Sequence, residues 1–201
     1  MDYPSKIIGE LVGEFSKLPG IGKRTALRMV LNLLKQKNNE VENLGNLIIR
    51  LTKDVKYCKY CHTITENDLC EICADPKRDK KCICIVEDHR DLIAIENTQQ
   101  FKGTFHVLGG LISPIDGIGP ENLNIGSLME RIYANDIQEV IFALSATMEG
   151  DTTMFYITKQ IDKIGIKTSA ISRGISVGGE LEYADELTLG RSIMNRTPFN
   201  M

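Results

Sequence analysis

The chain has 201 residues, 42% of them apolar and 25% charged, enough to bury one large domain or two to three small ones and too apolar for a wholly disordered protein. No apolar run approaches the roughly 20 residues of a membrane span, and the start MDYPSKIIGE lacks the basic, apolar-core pattern of a signal peptide, so a soluble cytoplasmic protein without a membrane partner is expected. The net charge of −3 hides an asymmetry: residues 1–81 carry 15 Lys and Arg against 11 Asp and Glu, a net +4, whereas residues 82–201 carry 9 against 16, a net −7.

In chain order, Ile7, Ile8, Leu11, Val12, Phe15 and Leu18 recur at helical spacing, and Pro19-Gly20 stops that helix. A second helix is expected from Lys23 to Gln36, with Ala26, Leu27, Val30, Leu31 and Leu34 as its apolar side. Asn38-Asn39 breaks it, and a third follows from Glu40 to Asp54, using Val41, Leu44, Leu47, Ile48 and Leu51. The junction of the first two helices reads LPGIGKRTALRM, within a stretch from Lys17 to Lys37 that holds six cations and no acid. Pro19 fixes its own dihedral, and Gly20 and Gly22 are able to take positive φ and let another backbone come close. Free amides at the start of the second helix, with Lys23, Arg24 and Arg28 beside them, suit a DNA backbone, which is read as phosphate charge. This is a helix-hairpin-helix signal; the alternative is a tight connection with a solvated face.

Residues 57–75 have too few apolar side chains for a core of their own. They hold Cys58-Lys59-Tyr60-Cys61 and Cys70-Glu71-Ile72-Cys73, two CxxC knuckles that present four thiolates in the tetrahedron Zn²⁺ takes, with no position left for water. A structural zinc on which the segment folds is therefore expected, one per chain. His62 is able to replace a cysteine, but the four thiolates complete the set. Disulfides are the alternative, in an oxidising compartment.

After the charged connector Asp75–Lys81 the pattern changes. Cys82–Val86, Phe105–Leu108, Glu139–Leu144 and Lys167–Ile171 read as strands, with helices expected over Asp91–Gln100, Ser127–Ala134 and Asp151–Ile164, an alternation that argues for an α/β fold with a mostly parallel sheet. Cys82 and Cys84 alternate onto one face as core thiols. Glu87 and Asp88 follow the first of these strands and Asp116 lies in SPIDGIGP. Acids near strand ends can hold Mg²⁺ for phosphoryl transfer, although they are also common caps and turn residues. GISVGG lacks the order of a phosphate-binding GxxxxGK[ST] loop and reads as a turn; the segment beyond it is not placed by patterning.

With LPGIGKRTALRM, CKYC and CEIC, CIVEDHRDLIAIENTQQFKGTFHVLGGLISPIDGIGP and VGGELEYADELTLGRS in this order, the chain resembles the bacterial recombination mediators of the RecR family over nearly its whole length. That resemblance implies a mixed multidomain protein: an all-α helix-hairpin-helix domain at 1–55, a four-cysteine zinc finger at 56–76, an α/β Toprim domain at 80–175 and a C-terminal assembly segment at 176–201. It implies DNA repair without catalysis, in the cytoplasm at the nucleoid. A homo-oligomeric ring, generally a tetramer, would bind single- and double-stranded DNA and act with RecO, and in many bacteria RecF, to load RecA onto strands coated by single-strand-binding protein. DNA contacts fall on Arg24 and Arg28, with Lys23 as an added cation, and the zinc ligands on Cys58, Cys61, Cys70 and Cys73. An acidic partner face falls on Glu87, Asp116 and Glu149 of SATMEGDT. Catalytic Toprim enzymes pair their glutamate with a DxD, whereas SPIDGIGP offers Asp116 alone, which weakens the rival reading of a Mg²⁺-dependent nuclease or primase-like enzyme.

Overall fold

A computed structural model describes residues 3–175 and 178–198, and divides the chain into two compact units, Met1–Val55 and Lys56–Met201. The first consists of helices α1 (Lys6–Phe15), α2 (Lys23–Leu33) and α3 (Asn38–Asp54). Helices α1 and α2 pack around Val12, Ala26 and Val30, with Ile8, Phe15, Ile21 and Leu27 closing the cluster. Helix α2 ends three residues before the expected Gln36, because the amides of Lys35 and Gln36 turn to the carbonyls of Asn32 and Leu33 in a tightened last turn. Helix α3 has the expected apolar spacing but buries no residue: Leu44, Leu47, Ile48 and Leu51 stay between 40% and 63% exposed.

The second unit opens with a short hairpin, β1 (Lys56–Tyr57) against β2 (Ile64–Thr65), and a one-turn helix α4 (Glu71–Ala74). There follow β3 (Asp79–Val86), α5 (His89–Asn97), β4 (Gly103–Val107), α6 (Ile125–Ala134), β5 (Glu139–Ala143), α7 (Met148–Ile161) and β6 (Lys167–Ala170). The four longer strands form one parallel sheet in the order β4-β3-β5-β6. Strand alternation sorts the core onto the two faces of the sheet. Ile83, Ile85, Val140 and Phe142 meet Leu128 and Ile132 of α6 and Ile157 and Ile161 of α7. Cys84, Val86, Phe105 and Ala143 meet Leu92 of α5, with Ile72 of the cysteine segment packed beside them. Cys84 is therefore a core thiol, whose pKa burial pushes up to about 12. Cys82 is only half-buried, because it starts the register opposite Glu139 at the edge of the core.

The C-terminal part holds one helix that patterning missed, α8 (Glu186–Met194), capped by Asp185, whose carboxylate accepts from the amide of Thr188 at 2.8 Å. Residues 176 and 177 of the GISVGG turn lie outside the described residues. No helix among the described residues is long and apolar enough to cross a membrane.

Gly150 is dictated by packing. A Cβ there would stand 2.0 Å from the carbonyl oxygen of Ser145, and backbone cannot swing aside as a side chain can. Gly150→Ala is expected to displace the β5–α7 loop and lower stability by about 2 kcal/mol or more, read as a fall in the midpoint of urea unfolding.

Candidate nucleic-acid interface and metal centre

The connection between α1 and α2 is a tight turn with the residues of type II: Pro19 second, Gly20 third at φ +76°, and the amide of Ile21 donating to Leu18 O at 3.1 Å. Only Gly20 needs glycine's freedom. Gly22, expected to take positive φ as well, sits at φ −79°, an extended conformation open to any residue. It occupies the N-cap of α2, where it offers no side chain to the helix amides, and nothing lies within 4 Å of where its Cβ would be. The first-turn amides of α2 thus have no side-chain cap, and the positive end of the helix dipole lies behind them. Lys23, Arg24 and Arg28 are exposed, Arg24 and Arg28 one turn apart on the same side of α2, and none has an ion-pair partner among the described residues. An anion placed here meets amides and cations and no competing carboxylate from α2, which has none.

The four cysteines come together in the second unit. Cys58, Cys61, Cys70 and Cys73 are buried, unpaired by disulfides, and their ligand atoms lie within 4.8 Å of one another. Local geometry explains the convergence. The amide of Cys58 donates to Thr63 O at 2.7 Å and that of His62 to Cys58 O at 2.9 Å, closing the first knuckle with His62 at φ +60°. In the second, Cys70 caps α4, accepting from the amide of Cys73 on its sulfur at 3.4 Å, and the Cys70 amide donates to the sulfur of Cys58 at 3.3 Å. Amide-to-sulfur bonds of this kind stabilise thiolates. Crowding splits the protonation of the metal-free thiols: the hydrogen bond from Cys61 drives Cys70 down, and the same bond drives Cys61 up. A divalent cation removes that conflict by letting all four ionise. The donor set is the closed tetrathiolate that Zn²⁺ takes as a structural ion. His62 is not part of it; its Nε2 lies 2.7 Å from Ser127 Oγ, and its ring packs edge-on to that of the buried His106, at 5.2 Å.

The acids of the sheet do not gather in this way. Glu87 follows β3 and accepts from Ser145 Oγ at 3.1 Å; Asp116 accepts from Ser113 Oγ at 2.6 Å within its own turn; Glu149 stands in the first turn of α7. Among the described residues the four cysteines are the only group of three or more His, Cys, Asp and Glu placed to hold a metal. Asp88 serves as a cap, accepting from the amides of Arg90 and Asp91 to start α5. Spacing gave no sign of Ser145, which lies 58 residues from Glu87, or of Arg131, a guanidinium buried among the apolar positions of α6.

Family comparisons cover these parts in the same order. Residues 8–51 match the RecR helix-hairpin-helix family, 55–75 the RecR four-cysteine zinc finger domain, 81–172 the Toprim domain and 174–197 the RecR C-terminal family. The recombination protein RecR of Bacteroides thetaiotaomicron is 59% identical over 197 residues, covering 98% of this chain and 96% of that protein. That of Bacteroides fragilis is 57% identical over the same shares, and that of Cytophaga hutchinsonii 56% identical over 200 residues, 99% of this chain and 98% of the relative. With a helix-hairpin-helix unit, a four-cysteine zinc finger and a Toprim sheet in one chain at this level of identity, the protein belongs to the RecR family of recombination proteins.

Proposed function

We propose that the protein is a non-enzymatic, DNA-binding mediator of recombination in DNA repair, which acts with RecO, and with RecF, to load RecA onto single strands coated by single-strand-binding protein. The observation that carries this reading is the uncapped start of α2 behind the Leu18–Ile21 turn, with Lys23, Arg24 and Arg28 exposed and unpaired beside it. Such an element binds phosphate on single- or double-stranded DNA without reading bases. About three cations give a weak, salt-sensitive contact, and a closed homo-oligomer multiplies it through effective concentration. In this reading the oligomer is a tetrameric ring; the exposed apolar stripe of α3 and Leu187, Ile193 and Met194 of α8 support self-association, without fixing the number of subunits. In this reading residues 1–55 bind DNA, 56–76 form the zinc finger, 80–175 the Toprim domain, and 176–201 assemble subunits, in the cytoplasm at the nucleoid.

Glu87, Asp116 and Glu149 form the acidic face offered to a basic partner. Asp116, tied to Ser113 in its own turn, and Glu87, bonded to Ser145, favour this role over two-metal chemistry. The test is RecA filament assembly on single-stranded DNA coated with single-strand-binding protein, with and without RecO. Acceleration that needs this protein and falls at least about tenfold in Arg24→Ala/Arg28→Ala is expected. Mg²⁺-dependent cleavage or synthesis abolished by Glu87→Gln would replace the reading with an enzyme.

A further inference from the structure

Arg131, in the last turn of α6, is buried, at a relative exposure of 8%. Its Nη1 donates to Phe105 O at 2.7 Å and its Nη2 to Thr104 Oγ1 at 2.6 Å, both on β4, the edge strand of the sheet. No carboxylate lies within ion-pair distance among the described residues, and a buried guanidinium without a counter-charge is costly. The carbonyl end of α6 supplies only part of a charge. What stands beside the guanidinium is the cysteine segment. Its carbon lies 5.3 Å over the ring of Tyr60, the residue before Cys61, and it lines a cavity of about 220 Å³ together with Tyr60 and Cys73, one residue from each knuckle. The same segment covers the free edge of β4, where the Val107 amide donates to Cys61 O at 2.9 Å.

Four thiolates around Zn²⁺ carry a net charge of −2. We propose that this anionic centre is the counter-charge of Arg131, making Arg131 a positioning residue for the zinc site: loading of the metal and docking of residues 56–75 on the edge of β4 are one coupled event. The proposal rests on the four-cysteine cluster holding zinc. With metal bound, the buried cation has its partner and the knuckle stays against β4. With the metal removed, Arg131 loses the charge of the assembled centre, the segment lifts, and the Val107 amide opens to water.

The experiment compares Arg131→Gln, which removes the charge, with Arg131→Lys, which keeps it, and Thr104→Val, which removes the hydroxyl's bonds to Arg131 and to Cys82 O and leaves the charge. Zinc affinity is read by competition with a chromogenic chelator on the full-length protein, and amide exchange is followed at Val107. Arg131→Gln is expected to bind zinc about 10- to 100-fold more weakly, with faster exchange at Val107, while Arg131→Lys and Thr104→Val stay within about threefold of wild type. A folded Arg131→Gln with wild-type affinity, or an Arg131→Lys as weak as Arg131→Gln, would overturn the proposal. If Arg131→Gln does not fold, Arg131→Lys decides alone: retained affinity supports the charge role and its loss refutes it. Wild-type protein that carries no zinc when purified without chelator would overturn the metal reading itself, a failure distinguishable from the first.

Discussion

Removal of zinc is expected to unfold residues 56–75 and to lower the thermal midpoint of the second unit by about 10 °C or more. The reason is compositional. The cluster that holds this segment together is Cys58, Cys61, Cys70 and Cys73, with Ile72 the only partly buried apolar residue packed against it among the described residues, so little apolar burial remains once the sulfurs lose their common ion. Four thiols within 4.8 Å of one another cannot all ionise without a cation to hold the charge. The damage spreads, because the Val107 amide on β4 depends on Cys61 O and His62 meets Ser127 on α6. Cys58→Ser or Cys70→Ser should reproduce much of the effect by leaving three ligands. Native mass spectrometry is expected to find about one zinc per chain. A metal-free protein with an unchanged melting curve would contradict this account of the segment.

The second large effect concerns DNA. Arg24→Ala/Arg28→Ala removes two exposed cations from α2 without touching Val12, Ala26 or Val30, the core on which the helix pair rests. Stability should therefore change by about 0.5 kcal/mol or less, while DNA affinity at low salt falls at least about tenfold. The loss should be equal for unrelated sequences, since phosphate contacts carry no base information. Gly20→Val probes the same element differently. At φ +76° a β-branched residue is strained, so the turn that aims α2 should open and DNA affinity fall although every cation remains.

Much of this architecture was legible in the chain because its signals are local. LPGIG shows its turn in the order of Pro and Gly, and the two CxxC pairs show a metal site by spacing alone. The runs CICIV and EVIFA show a buried parallel sheet because both faces of such a strand are apolar. Boundaries were less legible: β3 begins at Asp79, inside what reads as a charged connector, because the parallel sheet continues past the edge of its apolar core. Helix α8 was hidden because Gly190 and a short, half-exposed apolar side blur its period, although Asp185 three residues before Thr188 is a cap signal. The pairs Glu87–Ser145 and His62–Ser127 are 58 and 65 residues apart, and only folding brings them together. Arg131 was illegible for a different reason: the counter-charge proposed for it is a metal centre rather than an acid in the sequence.

That the start of α2 is a phosphate-holding element is tested most directly by fluorescence anisotropy of a labelled oligonucleotide across a salt series, wild type beside a folded Arg24→Ala/Arg28→Ala. The expected result is a wild-type affinity that falls steeply with salt, and a double variant both weaker and shallower in slope by about two. Equal affinity and equal slope in the two proteins would contradict it.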